Sequence, residues 1–225
     1  MELELKKECL DTYELGEPQT LTQEETAETI VPDYCPDIAR IISAEGVVCL
    51  HGGTEQDGVT GTVRVTVLYT PENESGVRAL EFAMPFSAQG EGLAGCAHVV
   101  VETEIESLES RMLNPRKIFT RCKLVTHLAG CRKVCLTISS DAETDPALLV
   151  EKRCCGQTVS LLRQVAEKDL TFSETMSLSL GREGAAELLH CRANGIVTET
   201  KAIGNKLIFK GVFLVSALYR TIGGQ

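Results

Sequence analysis

The residues best suited to chemistry are ten cysteines and four histidines, spread over 225 positions. The thiols fall at Cys9, Cys35, Cys49, Cys96, Cys122, Cys131, Cys135, Cys154, Cys155 and Cys191. Cys131 and Cys135 in CRKVC lie in a strand-like run, which puts them on one face but about 13 Å apart, too far to share one zinc ion. Zinc ribbons instead use two-residue knuckles on turns. Within the apolar runs GVVCL and RKVCLTI a cysteine acts as a small hydrophobe, and no spacing predicts a disulfide pairing. The histidines, His51, His98, His127 and His190, open no hydrolase or metalloprotease motif. HGGTEQDG lacks the strand, lysine and helix of a phosphate-binding loop and is expected to be a hairpin turn. These absences predict a protein that is not an enzyme and needs no cofactor.

Charge supplies the remaining candidates. From Arg111 to Lys133 there are seven basic residues, among them Arg116, Lys117, Arg121 and Lys123, and no acidic one, whereas the first 28 residues hold nine acidic side chains against two lysines. Such opposed patches can steer contacts between modules or with a partner, or can be two solvated surfaces. VPDYCPDI is the second candidate surface, with Asp33 and Asp37 placed either to bind or to cap a helix stiffened by Pro32 and Pro36. The net charge of −10 and the lack of an aromatic-studded basic run argue against nucleic acid. Aromatic content of 4% with no Trp disfavours a sugar-stacking surface. The acidic N-terminus does not read as a signal peptide and no apolar run is long enough for a membrane-spanning helix, so the expected location is cytoplasmic.

The elements that must carry these groups read as strands. In GTVRVTVLYT, Val63, Val65, Val67 and Tyr69 alternate with Thr62, Arg64, Thr66 and Leu68, the period of a strand with one buried face. HVVVETEIESL, KIFTRCKLVTHL, RKVCLTIS, NGIVTETKAI and KLIFKGVFLVSALYRT follow suit, separated by the turn signals TPENESG, QGEGLAG, MLNPR and AIGNK. The expected fold is mainly β, with sandwich or barrel-like modules. Two segments break the pattern: CPDIARIISAEG spaces Ile38, Ile41 and Ile42 as a helix would, and REGAAELLHCRANG does the same with Ala185, Leu188 and Leu189. One short helix per module is expected.

Gly61 to Tyr69 corresponds to Gly211 to Tyr219 at a shift of 150, and ELKKECLDT to VEKRCCGQT at a shift of 146. The expected organisation is a first module over 1–146 and a partial second copy over 147–225. An unfinished sheet exposes an edge strand, which invites pairing in trans.

IVPDYCPDIARIISAEG, VTGTVRVTVLY, MPF and LNPRKI, in that order, resemble the SPOCS domain of spore coat and cortex morphogenesis proteins of endospore-forming Firmicutes, of the SpoVID and SipL type. The likeness covers about 20 to 140 and weakens in the second copy. It implies a non-catalytic scaffold in the mother-cell cytoplasm at the forespore surface, docking onto the basement-layer ATPase of the coat. It also implies tandem modules, followed in many relatives by a glycan-binding LysM domain. A coat protein that is made without a leader and later meets an oxidising layer fits the cysteine count. The other function the sequence allows is a self-assembling subunit of a coat layer or surface filament, contacting its neighbours through sheet edges.

Overall fold

The computed structural model describes residues 4–51, 58–143, 151, 153, 156, 158–166, 171–175, 177 and 184–222. Nine strands run in order: β1 (Glu4–Leu15), β2 (Gln19–Ile30), β3 (Ile38–His51), β4 (Gly58–Pro71), β5 (Arg78–Gln89), β6 (His98–Asn114), β7 (Lys117–Glu143), β8 (Ala185–Ile203) and β9 (Lys206–Thr221). All pairings are antiparallel. The expected mainly β architecture is present, with no helix among the described residues.

The 27-residue strand β7 organises the first sheet. One edge takes β2 along Lys117–Leu128 and then β1 along Cys131–Glu143, while the other edge takes β6 along Lys117–Cys131. The second sheet has the order β3-β4-β5. Alternation explains the packing: Val63, Val65, Val67 and Tyr69 of β4 are buried, and they join Met84 and Phe86 of β5 and Ile118, Cys122 and Leu124 of β7 in one core. Thr120 and Thr126 of β7 are fully buried, and Ser110 at 2.7 Å and Thr103 at 3.1 Å satisfy their hydroxyls. Gly61 is there for space, because a Cβ would collide with the Phe86 ring and stand 3.0 Å from the Cys49 carbonyl.

The two expected helices are strands instead. In β3 the pairings Ile38↔Pro71, Ile41↔Tyr69 and Ala44↔Val67 are separated by two bulges, between Ile38/Arg40 and Ile41/Ser43. Each bulge inserts one residue, so positions three apart land on the same face. A doubly bulged strand thereby imitates helical spacing. β8 repeats the arrangement, with Ala185↔Thr221, Leu188↔Tyr219 and Cys191↔Ala217 and bulges between Ala185/Glu187 and Leu188/His190. Gly46↔Val65 and Val48↔Val63 likewise recur as Ala193↔Val215 and Gly195↔Phe213. The shifts are constant: Ile41 to Leu188 is 147 and Tyr69 to Tyr219 is 150.

The cysteine reading needs one correction. Cys135 is cross-linked to Cys9, with Cα atoms 5.6 Å apart, and this bond fastens β1 to β7. Cys122 and Cys131 are free and buried, as small apolar side chains would be. Cys154, Cys155 and most of the HGGTEQDG turn lie outside the described residues.

Candidate interaction surfaces

The β6–β7 turn and the β2–β3 connection meet, and Arg116 joins them. The turn backbone grips both ends of the connection: Val31 N–H donates to the Arg116 carbonyl and Ile38 N–H to the Pro115 carbonyl, each at 2.9 Å. The Arg116 guanidinium then reaches four acceptors on the connection. It donates to the Cys35 carbonyl at 2.7 Å and the Val31 carbonyl at 3.0 Å. It also donates to the carboxylates of Asp37 and Asp33, each at 3.0 Å. A planar fork with five donors suits this convergence of carbonyls and carboxylates. Asn114 accepts from the Arg116 N–H at 2.9 Å and so shapes the turn itself.

Asp33 and Asp37 therefore anchor a guanidinium; there is no helix for them to cap. Inside the loop, Cys35 N–H closes a turn onto the Pro32 carbonyl at 2.9 Å. At its far end Glu72 N–H donates to the Asp37 carbonyl at 2.9 Å, and the Tyr69 hydroxyl approaches the Pro36 carbonyl at 3.4 Å. Burial pushes the Tyr69 phenol up to about 12, helped by the neighbouring Cys35 thiol. At the tip of this tightly held loop stands Tyr34, 87% exposed, with Ile30 beside its entry at 71%. Neither was a sequence candidate. The signal that marks Tyr34 is the repeated Pro-Asp on either side of it, PD-YC-PD, which stiffens the backbone around a single aromatic residue.

Lys117, Arg121 and Lys123 lie on the opposite face of β7 from Ile118, Cys122 and Leu124. Lys117 pairs with Glu28, Arg121 with Glu24 at 3.3 Å, and Lys123 with Glu106 at 2.6 Å. Arg111 lies over the Phe119 ring at 4.9 Å, Arg132 donates to the Gly92 carbonyl at 2.6 Å, and Lys133 faces Asp11 at 3.8 Å. The basic run and much of the acidic N-terminal segment are thus neighbours in one sheet and pair with each other. Only Arg116, Asp33 and Asp37 of the six sequence candidates are brought together at one place.

The third surface is the β8–β9 hairpin. β8 carries its ties to the rest of the protein: Glu187 accepts from Arg78 at 3.3 Å, His190 meets Glu45 at 3.0 Å, and Leu189 is 5% exposed. The Glu74 carboxylate, 2.6 Å away, holds the Arg78 guanidinium above its ordinary pKa. An open groove of about 1250 Å³ runs between β3, β6 and β8, lined by both acidic and basic side chains, including Glu45, Glu104, Arg64 and Arg192. No cluster of three or more His, Cys, Asp or Glu side chains suited to a metal ion occurs among the described residues. No helix there is long and apolar enough to cross a membrane.

Neither known protein families, nor curated proteins, nor solved structures yield a match to this chain.

Proposed function

We propose that the protein is a non-catalytic scaffold of spore-envelope assembly that acts through protein-protein contacts, with Tyr34 on the Arg116-clamped loop as its docking point. The carrying observation is that loop. A fully displayed aromatic side chain on a backbone held by so many hydrogen bonds binds without first paying the entropy of ordering the loop. Tyrosine and arginine are also the residue types that dominate binding energy at protein interfaces.

The two SPOCS-like landmarks VPDYCPDI and LNPRKI are the segments that Arg116 ties together. The shared register and bulges of β3–β4 and β8–β9 support reading 147–225 as a partial second copy. The partner expected from the resemblance is the basement-layer ATPase of the coat, met in the mother-cell cytoplasm at the forespore surface. The Cys9–Cys135 bond suits a chain that ends in an oxidising coat layer.

The test is capture of the purified ATPase by the full chain. Tyr34→Ala should weaken binding by about 2 kcal/mol, roughly thirtyfold in Kd. Arg116→Gln should weaken it too, by releasing the loop. Wild-type affinity in both variants would remove the docking point, and no binding by the native chain would remove the partner.

A further inference from the structure

The hairpin β8–β9 has the register of β3–β4 but not its surroundings. In the second sheet the outer edge of β4 is filled by β5, from Gly58↔Gln89 to Tyr69↔Arg78. The equivalent stretch of β9 is Ile208–Tyr219, and among the described residues it pairs with β8 alone. A two-stranded ribbon is marginal in water by itself.

Composition says what kind of surface completes it. The charges at the two ends are settled within the hairpin, Arg220 on Glu187 at 2.6 Å and Lys210 on Glu199 at 3.2 Å. Between them Gly211–Tyr219 carries no charge. One face shows Phe209 and Phe213, each 61% exposed, and Val215 at 38%; Phe172 covers part of it, with ring centroids 5.2 Å from Phe213. The other face shows Ile208, Val212, Leu214 and Leu218, 41–57% exposed. In β4 the positions that correspond to Val212 and Leu214 are polar, Thr62 and Arg64, while Leu218 corresponds to the buried Leu68. β9 is therefore apolar on both faces, the pattern of a strand inside a larger sheet. Within Gly211–Tyr219 its edge also lacks the lysine, proline or bulge with which solitary edges are protected; the bulges lie on β8, between Ala185/Glu187, Leu188/His190 and Val197/Glu199.

A charged partner strand would lose its hydration against this surface. An uncharged apolar segment of matching length would not, and Gly211–Tyr219 of another copy is such a segment. We infer that β9 pairs antiparallel with β9 of a second copy about a two-fold axis through Leu214, making a continuous four-stranded sheet β8-β9-β9-β8.

The register follows from symmetry and charge. Residues directly opposite in an antiparallel pair share a face, so a two-fold pairing must centre on a residue and place i opposite j with i + j even. Centring on Phe213 sets Lys206 against Arg220, and centring on Val215 sets Lys210 against Arg220, both like-charge pairs. Centring on Leu214 gives as long an overlap as centring on Phe213, sets no like charges against each other, and puts Lys210 opposite Leu218.

Sedimentation velocity of the full chain tests the contact. The expected result is a dimer that Leu214→Lys converts to a monomer, with the circular dichroism spectrum kept because Leu214 is 57% exposed within its own chain. Tyr34→Ala should leave the dimer intact, so this contact and the docking loop fail separately. Under mild oxidation Leu214→Cys should give a disulfide between the two introduced thiols, one from each chain, found by peptide mapping, while the thiol introduced by Leu218→Cys should not bridge to its own counterpart. A monomeric wild type, including one whose β9 amides are shielded from hydrogen exchange by another part of the same chain, overturns the inference. So does a dimer that survives Leu214→Lys, or one in which Leu218→Cys cross-links the chains and Leu214→Cys does not.

Discussion

Replacing Arg116 by alanine should cost about 3 kcal/mol of folding stability, and the figure can be built acceptor by acceptor. A hydrogen bond from a charged donor is worth about 1.5–3 kcal/mol when shielded. The Arg116 side chain is 34% exposed, which brings its bonds to the Cys35 and Val31 carbonyls to about 1–1.5 kcal/mol each. The Asp37 contact, with that carboxylate 43% exposed, adds about 0.5 kcal/mol. Asp33 is wholly exposed, and its ion pair adds nothing measurable. Urea unfolding of the full chain reads the sum, and thermal unfolding should show a drop of roughly 6–12 °C at this chain length. Arg116→Lys should recover only part of the loss, since an ammonium cannot span four acceptors. The reasoning fails if Arg116→Ala stays within about 1 kcal/mol of wild type, or if Asp33→Ala is as damaging.

Three further outcomes are expected. Gly61→Ala forces a methyl against the Phe86 ring and the Cys49 carbonyl and should destabilise by about 1–3 kcal/mol, measured in the same urea assay. Tyr69 is held neutral by burial, with its folded pKa raised from 10.0 to about 12. Its contribution is therefore complete below pH 10 and fades as pH rises from 10 to 12, so Tyr69→Phe should flatten the alkaline loss in a pH series of unfolding midpoints. Reducing Cys9–Cys135 opens a loop of 126 residues and should remove at most about 4–5 kcal/mol in the chain-entropy account; an unfolding midpoint unmoved by reductant would refute that role.

The sandwich was legible where one face of a strand is apolar and the other is not. The alternation of Val63 to Tyr69 and the run KLIFKGVFLVSALYRT mark β4 and β9 with nearly their observed limits. β1 and β2 were hidden because Glu8 and Glu14 share a face with Thr12, and Gln23 and Glu25 share one with Ala27, so neither strand alternates cleanly between apolar and polar. β3 and β8 were misread because the bulges at Ile38/Arg40 and Ala185/Glu187 lend them a helical period. Period alone cannot separate a bulged strand from a short helix. The site was half legible. Arg116, Asp33 and Asp37 stood out as charges, but 79 residues separate Arg116 from Asp37, and only the chain's path shows that they meet. That same path turns the apparent charge patches into pairs such as Arg121 with Glu24.

The length of β7 governs the order in which this protein can fold during synthesis. β1 and β2 are made first, yet the strand they pair with ends at Glu143, so at ribosomal speeds the N-terminal segment waits on the order of ten seconds for its partner. An unpaired strand that waits so long is exposed to capture by other nascent chains. The acidic side chains of β2, Glu24, Glu25 and Glu28, repel such encounters until β7 emerges, and Arg121 and Lys117 then take up two of them. The same carboxylates thus act twice, first as gatekeepers of an incomplete chain and then as the rungs that set it in register.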